Sequence, residues 1–358
     1  MKGLGQLTGR PLTGLGGLLV VGSAGALYGG WSDTIQAAFR RMVGLPDTDA
    51  SQPLLVVLLI VGLLMVLFDQ IYLARKESKV SKRLLAIRHT SLNPATVPHL
   101  RPSELPKEDG PWELEAVDCD LTRFLSGGSL HISGAVAQQQ HVWTQVEAHL
   151  RGSKPPPLAY YGVAHVPLQI LAGWQLAHNP PFLFELVQSD GTYRELKHGT
   201  GPNLGLRTQK TPNKMTPTSL VVRVAVSFPV GLEEVREIVP DPFDDVLVTV
   251  TNPVRDNITH YAQANAIAEH VCKAIDAGRQ RIPGGTVHLF FAGPMSVGFS
   301  IGRRLSPSIH PEVIAYNYSM QTNPKYLWGL RVNSLHAPEL LVEPAPVGAA
   351  TPPMRLTR

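Results

Sequence analysis

The sequence predicts an α/β protein: two transmembrane helices followed by a cytoplasmic domain of two doubly wound halves. Three observations predict it. Two uncharged apolar stretches lie near the start, at 11–32 and 50–68. From residue 112 onward, helical and strand patterns alternate, which is the order of α/β folds. That alternation runs twice, with a similar strand, turn and helix in each pass.

The stretch 50–68, "ASQPLLVVLLIVGLLMVLF", is uncharged over nineteen residues and dense in Leu and Val, long enough to cross the hydrocarbon core as a helix. The stretch 11–32 is richer in glycine. Gly22, Gly25 and Gly29 fall on one helical face, and residues 25–29 form a G-x-x-x-G pattern that allows close helix contact in lipid. A signal peptide cleaved around Ala24-Gly25-Ala26 is the alternative for this stretch. Between the two lie only Arg40 and Arg41, whereas Arg75, Lys76, Lys79, Lys82, Arg83 and Arg88 follow Phe68 within twenty positions. The positive-inside rule therefore puts everything after residue 69 in the cytoplasm. Leu73, Val80, Leu84 and Ile87 recur at helical spacings, so 69–111 is expected to be a basic juxtamembrane helix followed by a proline-rich linker.

Beyond it the first half is expected over 112–200. Gln138 to Leu150 reads as a helix, "LAYYGVAHV" as a strand, Pro167 to Ala177 as a helix, and "FLFELVQ" and "TYREL" as strands. The second half, 219–335, runs from "SLVVRVAVSFPV" and the strand "DDVLVTVTNP" to a helix over Ile258 to Ala277. That helix carries Ile258, Tyr261, Ala264, Ala268, Cys272 and Ile275 on one face. "VHLFFA", a helix from Pro294, "EVIAYNYS" and "YLWGLRV" follow. Between the halves, 191–218 reads as a long polar loop with Lys197, Arg207, Lys210 and Lys214, a candidate phosphate-contacting lid. The residues 336–358 are a Pro/Ala-rich tail.

Composition excludes several classes. The net charge of +4 is carried by residues 69–88, with six basic against two acidic side chains, so the rest is neutral and a nucleic-acid polymer is not an expected partner. Two cysteines, Cys119 and Cys272, and thirteen scattered histidines have no zinc-ligand spacing, so neither metal nor cofactor is expected. Gly298-Phe299-Ser300-Ile301-Gly302 matches the hydrolase pattern G-x-S-x-G, but a nucleophile elbow puts its serine at the bend. Here the bend is at Gly293-Pro294, and Ser300 lies over a turn into the helix. Downstream, Glu312 and His336 come in the order a triad needs, but His336 falls at the start of the Pro/Ala-rich tail and makes a poor partner. Gly298, Ser300 and Gly302 read instead as a helix face packed against a sheet. The turn at Pro294, Met295 and Ser296 puts N–H groups at a helix start, where phosphate is favoured; a capped helix with no ligand is the alternative.

The run "TVHLFFAGPMSVGFSIGRRL…PEVIAYNYS…YLWGLRV", with "SLVVRVAVSFPV" and "VLVTVT" before it, resembles the C-terminal half of a SAVED domain. SAVED domains are two fused CARF-like halves that sense cyclic oligonucleotides in bacterial antiphage signalling of the CBASS type. The resemblance covers about residues 112–335 and is clearest over 219–332. With two spans upstream, the chain is similar to transmembrane-SAVED effectors. The resemblance implies ligand contacts at Asn252 and Arg255 in the loop after "VLVTV", at Pro294, Met295 and Ser296, and at Tyr318, whose ring would stack on a base. In the first half, His165 is the counterpart of the Gly293-Pro294 turn, and Asp118 to Arg123 matches the other loop.

The function so implied is a non-enzymatic inner-membrane effector. A cyclic di- or trinucleotide binds its cytoplasmic SAVED domain, the chains self-associate into oligomers or filaments, and the spans disrupt the lipid bilayer. The rival is a membrane-tethered hydrolase using Ser300, or a ring nuclease; a passive anchor is a third reading.

Overall fold

The computed structural model describes residues 82–333, apart from 93–96, 106–111, 126–129, 152–153, 188 and 241, together with 60–68 and residues 20, 41 and 57. The chain divides into two compact units, Met1–Ser81 and Lys82–Arg358. In the first, 60–68 is helical. Its large apolar side chains stand exposed, among them Ile60, Leu63, Leu64, Leu67 and Phe68. Among the described residues no helix is long and apolar enough to cross a membrane. Gly22, Gly25, Gly29 and most of both expected spans lie outside the described residues.

The second unit contains two sheets. The first has the order β2-β1-β3-β4-β5, made of β1 (Lys82–Thr90), β2 (Trp112–Asp120), β3 (Leu158–Val163), β4 (Phe182–Val187) and β5 (Thr192–Glu195). All neighbours are parallel except the closing β4–β5 pair. The second has the order β11-β10-β9-β7-β8-β6, from β6 (Arg207–Thr211), β7 (Ser219–Ala225), β8 (Phe243–Thr249), β9 (Thr286–Ala292), β10 (Val313–Tyr318) and β11 (Tyr326–Arg331). Its edge strands β6 and β11 run antiparallel to the parallel interior. The helices are α1 (Thr122–Leu125), α2 (Ile132–Leu150), α3 (Val166–Gln175), α4 (Leu232–Arg236), α5 (Tyr261–Arg281) and α6 (Met295–Arg304). Strand for strand the two sheets repeat one another, with β6 added at the edge of the second.

Two sequence expectations are corrected. Residues 82–90 are a strand, not the end of a juxtamembrane helix, and β1 is the central strand between β2 and β3. Leu84, Leu85, Ala86 and Ile87 are all buried because a parallel strand is covered on both faces and needs a continuous apolar run. That run happens to satisfy a helical spacing. The proline-rich stretch after it is also packed in part, through buried Val97, Leu100 and Leu105. The second correction concerns the polar stretch 191–218. Besides β5, which was expected as "TYREL", it contains the strand β6, and its loops are fastened to the second half by Lys197 N–H to Thr259 O and Thr251 N–H to Leu204 O, both at 2.9 Å. β6 is polar because an edge strand needs no buried face.

The halves share one core. Phe299 of α6 packs against Tyr160 of β3 with ring centroids 4.5 Å apart and the planes tilted by 34°, and both side chains are fully buried. Truncating a phenylalanine in such a place costs about 3–5 kcal/mol. At the centre α3 and α6 cross with their backbones in contact. The eighth residue of each helix is a glycine, Gly173 and Gly302. A Cβ on Gly173 would collide with the Phe299 carbonyl and one on Gly302 with the Ile170 carbonyl, the fifth residue of the opposite helix in each case. The small face expected to lie on a sheet thus meets its own counterpart across a pseudo-two-fold axis. Ser300 is buried within this helix, away from any bend.

Candidate ligand cleft between the two halves

In open α/β sheets ligands bind beyond the carboxyl ends of the strands, where the chain switches direction. Here the ends of β3 and β4 from the first half face those of β7, β8 and β9 from the second. They enclose a cavity of about 150 Å³ lined by Gly162, Val163, Gln169, Glu185, Leu186, Ser227, Phe228, Arg255, Asp256, Gly293, Pro294 and Met295. Close approach at the rim depends on Gly162. It sits at φ 126°, and a Cβ there would strike the His89 backbone, so only glycine fits.

Of the residues expected to bind ligand, the structure brings Arg255, Pro294 and Met295 to this cavity. Arg255 is exposed in the loop after β8, and its guanidinium carbon lies 5.1 Å from the centre of the Phe228 ring. Phe228 is itself 48% exposed. An arginine over an open aromatic face combines cation–π attraction with a platform for an unpaired base. The following residue, Asp256, has φ 57°, a left-handed conformation that Asp tolerates better than most residues. Asn252 is exposed in the same loop but does not line the cavity.

The start of α6 is already answered by a carboxylate. Ser296 N–H donates to Glu185 Oε1 at 2.5 Å, from β4 of the opposite half, and Ser296 is fully buried. Burial pushes the Glu185 carboxyl above its ordinary range; the Ser296 and Met295 N–H groups pull it down, and the Asp256 charge pushes it up. The N–H at the start of the helix, where phosphate was expected, is thus answered from within by a carboxyl group of the opposite half.

His165 lies on the pseudo-equivalent side, at the start of α3. Its Nδ1 is 2.6 Å from Ser91 Oγ, and its backbone N–H donates to the same oxygen at 2.6 Å. Its ring lies 5.8 Å from that of Trp328, which is buried. Burial lowers the His165 pKa to about 4, so at neutral pH it is uncharged and serves to pin the β3–α3 turn. The Ser91–His165 pair is too enclosed to act as a nucleophile and base, since Ser91 is 2% exposed. Asp118 and Asp120 at the end of β2 are engaged by Arg88 Nε at 2.8 Å and by Thr122 N–H at 2.9 Å. Tyr318, 39% exposed, ends β10 beside Tyr326, 5.3 Å between ring centres, and does not line the cavity. Among the described residues, no group of three or more His, Cys, Asp or Glu side chains is placed to hold a metal ion.

Gln169, Glu185 and Phe228 escaped the sequence reading. The signal for Glu185 was present, as the one charge inside the apolar strand "FLFELV". Gln169 gave none, because a glutamine on a helix is ordinary.

None of the curated proteins matches this sequence. Among solved structures, the chain is similar to the Cap4 SAVED/CARF-domain containing receptor of Acinetobacter baumannii with the cyclic trinucleotide 2'3'3'-cAAA. The identity is 9% and the TM-score 0.44, over 80% of this chain and 63% of that one. The same receptor with 3'3'3'-cAAA gives 10% and 0.43, over 80% and 64%. The Cap4 receptor of Moraxella osloensis gives 10% and 0.42, over 81% and 64%. The chain thus spans less than two thirds of the length of these receptors. The family model for SAVED, described as "SMODS-associated and fused to various effectors sensor domain", matches residues 138–332. With more than half of its length so matched, the chain belongs to the SAVED family of sensor domains.

Proposed function

We propose that this chain is a membrane-embedded effector of CBASS antiphage defence that senses a cyclic di- or trinucleotide in the cleft between its halves. The observation that carries the reading is the cavity itself. It lies where strand ends from both halves meet, and it offers an arginine on an open aromatic ring beside glycine-lined backbone. A ligand seated there touches both halves at once, so its binding energy bears on how they are held. It shifts the protein toward an assembling state only by as much as it prefers that state. Self-association then clusters the apolar segments 11–32 and 50–68 in the bacterial inner membrane, with the C-terminal domain in the cytoplasm, and the bilayer is breached. The exposed Leu and Ile side chains of the helical stretch 60–68 suit contact with lipid. No covalent step is required, and buried Ser300 lends nothing to a hydrolase reading.

The test is titration of the full chain in detergent with cyclic di- and trinucleotides, alongside membrane permeability of cells producing the same messengers. Arg255→Ala is expected to weaken binding at least about ten-fold, in line with the loss of one charged contact. Gly25→Leu is expected to leave affinity unchanged and abolish permeabilisation. Failure of every cyclic oligonucleotide to bind overturns the reading. Killing by a chain that lacks residues 1–68 overturns the membrane step.

A further inference from the structure

We infer that the interior of the cleft reads a base rather than a phosphate, and that Gln169 and Glu185 together select a base carrying an exocyclic amine. The inference rests on the cyclic-oligonucleotide reading above and adds to it which part of the ligand goes where.

Gln169 stands on the first turn of α3 and is 6% exposed. Its Nε2 donates to the Ala164 carbonyl, which fixes the amide orientation, since the flipped amide would set two oxygens against each other. Its Oε1 is then left buried with no donor, on a residue that lines the cavity. Native proteins rarely leave a buried acceptor unanswered, and such a group calls for an explanation. A ligand N–H supplies one.

Glu185 lines the same cavity. A carboxyl group has about four acceptor positions when ionised and keeps acceptor capacity when protonated, so the bonds from the α6 N-terminus do not exhaust it. Asp256 is a third acceptor in the wall. A phosphodiester placed here would face two acidic side chains at a helix end whose N–H is already taken by one of them, whereas an amino group meets acceptors on Gln169, Glu185 and Asp256. Adenine, guanine and cytosine carry such a group; uracil presents a carbonyl in its place. The phosphates then belong at the rim, where Arg255 covers Phe228. The pseudo-equivalent position on the other side cannot read a base in the same way. The second residue of α3 is Pro167, which has no N–H to hold a carboxylate, where α6 has Ser296.

The test compares ligands that differ only in the amine, on unaltered full chain in detergent. The probes are the cyclic trinucleotides of adenine, of cytosine, of uracil, and of purine riboside, which is adenosine without its 6-amino group. An amine-bearing ring is expected to bind about 10- to 100-fold more tightly than its amine-free partner, adenine over purine or cytosine over uracil, as for a good pair of hydrogen bonds to a base edge. Gln169→Leu is expected to shrink that ratio to within about three-fold. Equal binding of amine-bearing and amine-free rings overturns this inference and leaves the sensor reading standing. No binding by any probe overturns both. An unchanged ratio in folded Gln169→Leu removes Gln169 from the pair, and should that variant not fold, the ligand series on the unaltered chain decides alone.

Discussion

Arg88 and Arg223 hold the same place in the two halves, on β1 and β7, opposite Tyr161 of β3 and Phe290 of β9. Each reaches a neighbouring aspartate and a backbone carbonyl. Arg223 meets Asp245 through two bonds of 2.7 Å and Val230 O at 2.7 Å. Arg88 meets Asp118 at 2.8 and 3.3 Å and Val97 O at 3.4 Å. The two arginine side chains are equally enclosed, each 12% exposed, but Asp245 is 5% exposed and Asp118 46%. The partners also differ in register: Asp118 lies directly opposite Arg88, while Asp245 is opposite Val221, two residues before Arg223. One arginine has thus been kept while its partner changed. By contrast, Gly173 and Gly302 keep equivalent contacts. What is shared lies where backbones touch and no side chain can compensate. What has diverged lies at the strand edges and the cleft, where Glu185 and Ser296 face each other on one side and His165 and Trp328 on the other.

The largest expected effect breaks this comparison at the buried pair. Asp245→Ala leaves Arg223 charged and enclosed, and is expected to cost about 3–5 kcal/mol, read from denaturant unfolding of the full chain followed through buried Trp143 and Trp328. A cost below about 1 kcal/mol would mean that burial does not distinguish the two pairs. Next are the crossing glycines. Gly173→Ala and Gly302→Ala each force a methyl into a carbonyl of the opposite helix, and each is expected to cost about 1–3 kcal/mol. The two costs are expected to agree within about 0.5 kcal/mol; a clear inequality would show that the two-fold relation fails at its centre. The smallest effect is that of Asp118→Ala. With its carboxylate half in water, the loss is expected to stay near or below about 1 kcal/mol, and a loss equal to that of Asp245→Ala would erase the difference between the halves.

Much of the fold was legible because its signals are local. Helices α2, α3, α5 and α6 and strands β3 to β5 and β7 to β11 follow from periodicity and from the proline turns, with ends shifted by a few residues. The duplication was legible in the paired strand, turn and helix around Val166 and Met295. β1 was not, since Leu84 to Ile87 suits a buried strand and a helical seam alike. Its state is settled by pairing with β2 and with β3, the latter about seventy residues away in the chain. β6 was not legible either, because a polar edge strand carries little pattern of its own. The cleft was half legible: its proline turn and Arg255 stand out, whereas Glu185 is a ligand-facing residue only because β4 ends beside α6 of the other half.

The sequence by itself determined what neighbours along the chain can decide: apolar runs, helix faces, turns, a basic segment after residue 68 and the family resemblance. The tertiary structure alone decided that the small face of α6 meets α3, that the helix end prepared for an anion is filled by Glu185, and that Gln169 keeps an acceptor unanswered in the cavity. The physical reason is that hydrogen-bond partners and charge neighbours are set by which chain segments pack together, and these pairs lie far apart in sequence. Ser296 and Glu185 are over a hundred residues apart along the chain and 2.5 Å apart in space.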